Sequence, residues 1–282
     1  MRTPNDNSYA RLTGARNGGG VGRLRLLLVV AGALGAGVLA LPSAAGAVSD
    51  SVSENWAGYA VTGPSFQRAS GAWTVPKVRC AAGRKRYSGV WAGLGGFSTD
   101  SPSLEQIGTM QNCTASGKSS YWAWYELVPA DIVRLKLKVR PGDKLSASVS
   151  VSGTRVRLSL RNRTRKTSFT ATKHMSSPDV SSAEWIVEAP SSCDDQACTT
   201  LPLANFGTAK LRSALATAAG GHARAISKSD WSIERLLLND PAGGAANTSG
   251  LSSDGRSFKV SFSKQGQSKR LSKASRGGPG RR

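Results

Sequence analysis

Histidine is nearly absent from this chain, with only His174 and His222 in 282 residues. They stand far apart and no Gly-x-Ser-x-Gly accompanies them, which argues against a histidine-activated serine. His-Glu-x-x-His, Cys-x-x-Cys and Asp-rich loops are also missing, so zinc and calcium sites lack their usual ligand spacing. No Asp-Thr/Ser-Gly occurs, which removes the usual signature of a two-aspartate site. Negative charge is scarce: 17 Asp and Glu face 38 Lys and Arg, for a formal charge of +21. Helical patterning is thin as well. Residues 209–219 could make a helical turn or more, but Lys210, Leu211 and Leu215 give no decisive stripe.

Long apolar runs are limited to one, residues 24–41, with Arg11, Arg16 and Arg23 before it and Arg25 at its start. Small residues follow, Ala44-Ala45-Gly46-Ala47, and then the polar Val48-Ser49-Asp50. This is the layout of a secretory signal peptide, with cleavage expected after Ala47. An uncleaved anchor is the rival reading, because the run is near the ~18 residues that span a bilayer. Its many Ala and Gly residues weaken that rival. Removal of residues 1–47 leaves 235, a length that suits one large β domain.

Four cysteines lie beyond the signal, Cys80, Cys113, Cys193 and Cys198. An even number in an exported chain predicts two disulfides rather than a metal site. Cys193 and Cys198 flank a four-residue loop that one bridge could close, which leaves Cys80 with Cys113 by elimination.

The positive charge is uneven. Residues 48–282 carry +17, and residues 264–282 hold seven of those cations with no acid. That Gly/Ser-rich tail is too polar to offset its ordering entropy and is expected to be disordered. A second basic run, Arg155, Arg157, Arg161, Arg163, Arg165 and Lys166, falls on a predicted hairpin. Such a strand reads first as a solvated sheet face. Attachment to an anionic cell-envelope surface is a use for the charge. A nucleic-acid partner is not expected, since the chain carries an export layout and no nucleic-acid motif.

Elsewhere the hydrophobic period is two. Residues 56–61, 72–76, 89–94, 104–110, 121–128, 133–139, 144–151, 154–160 and 167–172 read as strands between Gly, Pro and Ser breaks. Residues 229–239 are ambiguous and are read as a strand, and 258–262 as the last one. The fold class predicted is all-β, an antiparallel two-sheet sandwich.

Two segments stand apart chemically. In Ser182-Ala-Glu-Trp-Ile-Val-Glu-Ala-Pro190, a strand places Glu184, Ile186 and Glu188 on one face, with Trp185 and Val187 on the other. Two carboxylates on one strand face are costly to bury unless water, a proton or a ligand needs them. The bland alternative is an exposed face. In Ser103-Leu-Glu-Gln-Ile-Gly-Thr109, Gln106 shares its face with Leu104 and Gly108, an odd position for a solvated glutamine.

Four blocks in order carry a family resemblance. They are Ser53-Glu-Asn-Trp-Ala-Gly58; Val90-Trp-Ala-Gly-Leu-Gly-Gly96 followed by Leu104-Glu-Gln-Ile-Gly108; Tyr121-Trp-Ala-Trp-Tyr-Glu-Leu-Val-Pro129; and Ala183-Glu-Trp-Ile-Val-Glu188. Together they resemble the eqolisin, or glutamic peptidase, family. The resemblance implies two antiparallel seven-stranded sheets in a concanavalin-like jelly roll. It implies an acid-active endopeptidase acting on proteins or peptides, without metal or cofactor. Carried over, Glu184 would be the general base and Gln106 its partner, with Trp56, Trp91 and Glu126 as walls of the substrate cleft. Packing inside the sandwich is the competing reading for the two tryptophans, and Glu188 the competing acid. One departure matters: the family block often has an acid where Gly95 stands here, which puts a hydrogen bond near the glutamine in doubt. The rival functions are a catalytically silent sandwich that binds peptide or polysaccharide, and a basic structural protein of the envelope. The protein is expected to be a secreted monomer.

Overall fold

A computed structural model describes residues 48–193, 198–228 and 230–265. The expected signal segment, and the tail from residue 266 onward, lie outside the described residues. The first strands are β1 (Val48–Ser53), β2 (Trp56–Thr62), β3 (Phe66–Thr74), β4 (Gly89–Gly95), β5 (Leu104–Cys113) and β6 (Ser119–Val128). There follow β7 (Val133–Arg134), β8 (Lys144–Ser152), β9 (Arg155–Asn162), β10 (Thr167–His174), β11 (Ser182–Glu188) and β12 (Ser191–Cys193). The last are β13 (Cys198–Thr200), β14 (Thr208–Ala218), β15 (Ala223–Ala225), β16 (Ser232–Asn239), β17 (Gly244–Thr248) and β18 (Phe258–Lys264). One 3₁₀ turn, Ile226–Lys228, is the single helical element among the described residues.

Hydrogen bonding runs continuously in the order β10-β9-β8-β3-β14-β18-β17-β16-β2-β11-β4-β5-β6-β7. Seven strands lie on each side of the β17/β16 join, and the strip doubles back there into a two-layer sandwich. Inward side chains of both layers meet in one large core, with Tyr59, Leu94 and Ile107 from one side and Val149, Leu158 and Leu211 from the other. Two indoles pin the layers together. Trp73 Nε1 donates to Thr109 Oγ1 at 3.1 Å, and Trp185 Nε1 donates to the Ser70 carbonyl at 2.7 Å. Cys193 pairs with Cys198 across the short loop and Cys80 with Cys113, the pair expected by elimination.

The strands follow from alternation. In β9 (Arg-Val-Arg-Leu-Ser-Leu-Arg-Asn) every apolar residue is buried and every arginine is exposed. Two segments differ from their sequence pattern. Where residues 209–219 could have begun a helix, Thr208–Ala218 is strand, interrupted at Ser213, which adopts φ +51°, as the register with β3 shifts between Arg212 and Leu215. The bulge changes which parity faces inward, from Ala209 and Leu211 to Ala214 and Ala216, and so hides the period of two. Residues 133–139 pair as strand only over Val133 and Arg134. Beyond them Leu135 and Val139 still dip into the core, so the alternation reports one-sided burial without a ladder.

Candidate active site

A second apolar cluster lies on the outer face of the β16-β2-β11-β4-β5-β6 layer, turned away from the inter-sheet core. It contains Trp56, Trp91, Trp124, Leu104, Met110 and Ile186. Trp56 and Trp91 therefore belong to this outer face and not to sandwich packing. Their rings meet edge-on with centroids 5.0 Å apart.

Register places the polar residues of this face in one row. Glu184 of β11 opposes Gly93 of β4, Gly93 opposes Gln106 of β5, and Gln106 opposes Glu126 of β6. Directly paired residues share a sheet face, so Glu184, Gln106 and Glu126 stand side by side across the strands. Glu184 and Gln106 are two strand spacings apart, roughly 9.5 Å at the backbone. Gly93 leaves the space between them without a side chain. A methyl there would meet the Glu105 carbonyl at 2.8 Å, the Trp91 ring at 3.0 Å and Gln106 Cβ at 3.2 Å.

Glu184 and Gln106 are each 0% exposed. Gln106 Nε2 donates to Glu126 Oε2 at 2.8 Å, which fixes the amide orientation and leaves one N–H and Oε1 for other partners. Gln106 Oε1, both Glu184 oxygens and the indole N–H of Trp124 have no hydrogen-bond partner within 3.5 Å among the described residues. Buried polar atoms normally find partners, and each orphan costs about 1–3 kcal/mol. Several on one face mark a place where a polar reactant belongs. Burial pushes the Glu184 carboxyl well above its ordinary 4.5, with the neighbouring Ser182 hydroxyl opposing and the Asp179 and Glu105 carboxylates adding to the rise.

Glu188, the competing acid, occupies a different row, opposite Trp56 and Gly89. Its Oε2 accepts the Trp91 indole N–H at 2.7 Å. It lies four residues along the strand from Glu184, so it props the tryptophan and does not neighbour Gln106. Burial raises its carboxyl well above 4.5 too.

The sequence pattern did not reveal Asp179. Gly95 has φ +78°, and a Cβ built on it would fall 2.6 Å from Asp179 Cβ. The carboxylate of Asp179 accepts the Gly96 N–H at 3.2 Å and the Ser101 hydroxyl, while the Asp179 N–H donates to Glu105 Oε1 at 3.1 Å. An acid of the loop before β11 thus stands over the glycine. Only its position after Pro178 in a turn-like stretch marks it in sequence. Among the described residues, no three His, Cys, Asp or Glu converge as metal ligands.

Comparison with known proteins bears on the family and the fold. The family model of the Peptidase A4 family matches residues 54–238. Aspergillopepsin-2 of Aspergillus niger is 28% identical over 201 residues, covering 62% of this chain and 68% of that protein. Scytalido-glutamic peptidase, solved with a transition-state-analogue inhibitor, superposes with a TM-score of 0.62 at 22% identity over 75% of this chain and 98% of that one. Aspergilloglutamic peptidase from Aspergillus niger gives a TM-score of 0.52 at 24% identity, covering 63% and 99%. These superpositions establish the sandwich fold.

Proposed function

The chain belongs to the Peptidase A4 family of glutamic endopeptidases, and on that premise we propose that Gln106 and Glu184 form its catalytic pair in an acid-acting hydrolysis of proteins and peptides. The observation that carries this reading is the row Glu184–Gly93–Gln106, in which two buried polar side chains with unpartnered atoms flank a residue that has no side chain.

In this reading the ionised Glu184 takes a proton from a water, and the oxygen attacks the scissile carbonyl. The free N–H of Gln106 donates to the oxyanion as the carbonyl becomes tetrahedral, and its Oε1 holds the water beforehand. Glu184 then returns the proton to the leaving amine as the C–N bond breaks. Glu126 acts as a positioning residue by fixing the Gln106 amide. Trp56 and Trp91 form the substrate wall, with Glu188 holding the Trp91 indole. An amide beside the carboxylate avoids the like-charge repulsion of a two-acid pair.

Because burial raises Glu184, its ionised fraction falls away above pH 4.5 and not below it. The acid limb of kcat/KM is therefore expected at higher pH than an ordinary glutamate would give. Digestion of a denatured protein from pH 3 to 8 tests the assignment. Glu184→Gln is expected to lose about 10³-fold in kcat/KM and Gln106→Ala about 10²-fold. Glu188→Gln should stay within about tenfold, since it leaves the pair intact. Undiminished activity in Glu184→Gln would sink the assignment. Folded wild type inert at every pH would instead favour a peptide- or polysaccharide-binding sandwich.

We place the enzyme outside the cell as a monomer. Two disulfides support export. Among the described residues only Val48, Val52 and Val133 are large exposed apolar side chains, too few for an obligate interface. The excess of cations favours an anionic envelope surface as its surroundings.

A further inference from the structure

The outer face of the other layer carries a regular array of its own. Across β9, β8, β3 and β14, Arg161 opposes Ser146, Ser146 opposes Ala72, and Ala72 opposes Arg212. The next row on the same face is Ser159, Ser148 and Ser70, each directly opposite the next. The row after that is Arg157, Ser150 and Arg68. Rows of guanidinium thus alternate with a row of hydroxyls, stepping roughly 6.8 Å along each strand and about 4.8 Å across. These rows line a cleft of about 510 Å³ whose lining includes Arg68, Arg161, Arg163 and Arg212 and no carboxylate.

This array has no internal explanation. Strands β3, β8, β9, β10 and β14 contain no Asp or Glu. The ion pairs among the described residues join Arg165 to Asp143, Arg224 to Asp230 and Arg235 to Asp50, so none reaches Arg68, Arg157, Arg161 or Arg212. These four are exposed. Like charges held in rows repel, a cost that an anionic partner removes.

We propose that this face binds a linear anionic polysaccharide, with the arginine rows taking its carboxylates and the serine row its sugar hydroxyls. Arginine pairs with carboxylates through two parallel hydrogen bonds, which suits a planar repeating acid. The central row of hydroxyls supplies both donors and acceptors, as sugar hydroxyls require. No aromatic side chain stands in these rows for bases to stack on, which disfavours single-stranded nucleic acid. The face also lies on the opposite side of the sandwich from Glu184 and Gln106. A chain held through it keeps the peptidase face toward solvent. The envelope reading supplies only where such a polymer is met; binding itself stands or falls independently of the peptidase assignment.

The test uses the whole mature chain, tail included, and a variant with Arg157→Ser, Arg161→Ser and Arg212→Ser. Binding to polygalacturonate is measured at 0.1 M and 0.5 M salt. Wild type is expected to bind at the lower salt, at least tenfold tighter than the triple variant, and to bind methyl-esterified polygalacturonate at least tenfold more weakly than the free acid. Bound wild type should retain its full rate on a short peptide, and the variant its full rate in solution. Equal affinity of the two proteins would overturn the proposal, because the shared tail would then account for binding. Tighter binding to a single-stranded oligonucleotide or to phosphatidylserine vesicles than to polygalacturonate would overturn it as well.

Discussion

At Gly95 a backbone with φ +78° runs beneath the Cβ and carbonyl of Asp179, each within 3 Å of where a side chain would begin. An acid restored to this position keeps a tolerable φ, since Asp enters the left-handed region more readily than most residues. It cannot keep its space. Gly95→Asp is expected to cost about 2 kcal/mol by overpacking and like-charge repulsion, and Gly95→Asp with Asp179→Gly to recover most of it. Thermal unfolding of the single and double variants checks this; an additive loss would show that Asp179 does not stand in for a strand acid. The contrast explains what was legible at this scale. Glu184 stood out as a candidate because it shares a strand face with a second carboxylate, Glu188, and Gln106 because it lies between Leu104 and Gly108. Asp179 did not, because a loop residue has no period to violate. Glu126, expected as a wall, turned out to bond Gln106, a pairing that only strand register makes visible.

Strands act here as rulers. The period of two in β5 and β11 was enough to assign their residues to faces, but which residue sits opposite which depends on pairing across four strands. Gly93 is the case in point: in sequence it is one of several glycines in Val90-Trp-Ala-Gly-Leu-Gly-Gly96, and in the sheet it separates Glu184 from Gln106. Gly93→Ala is expected to lower kcat at least tenfold, with a stability loss of about 1–3 kcal/mol from the contact with the Glu105 carbonyl. Steady-state kinetics on the folded variant, beside its melting curve, separates the two effects. Unchanged kcat would mean the space over Gly93 is not where the reaction occurs. Elements failed to be legible where geometry broke their period. The bulge at Ser213 did this in β14, and the lack of a continuing partner did it after Arg134.

Across the whole molecule, charge is segregated. Carboxyls are buried in and around the layer that carries the candidate site, and cations cover the opposite outer face. The net charge of +21 could be read from composition, yet neither the segregation nor its consequence for pH could. Burial pushes Glu105 up to about 8 from 4.5 and raises Glu184 and Glu188 well above 4.5. The folded state therefore holds protons that the unfolded chain releases above 4.5. Stability from these three groups is fully present below pH 4.5 and is lost as pH rises through their raised folded-state values, about 8 for Glu105. Asp143 and Asp179 act in the other direction. Burial lifts them, but hydrogen bonds from Asn162 and Arg165 to the first, and from Ser101 and Ser181 to the second, outweigh it and hold them below 3.8. Their stabilisation is present above 3.8 and disappears as pH falls below that. The two sets leave a maximum near pH 4, opposed by repulsion among the cations, which salt screens. In 0.3 M salt, Tm at pH 4.5 is expected to exceed Tm at pH 8. Glu105→Gln mimics the neutral acid and retains an acceptor for the Asp179 N–H. It should raise Tm at pH 8 by about 4 °C and leave it nearly unchanged at pH 4.5. A Tm that rises from pH 4.5 to 8 in both proteins would mean that these carboxyls ionise in the folded state, and with them the proposed acid limit on Glu184 would fall.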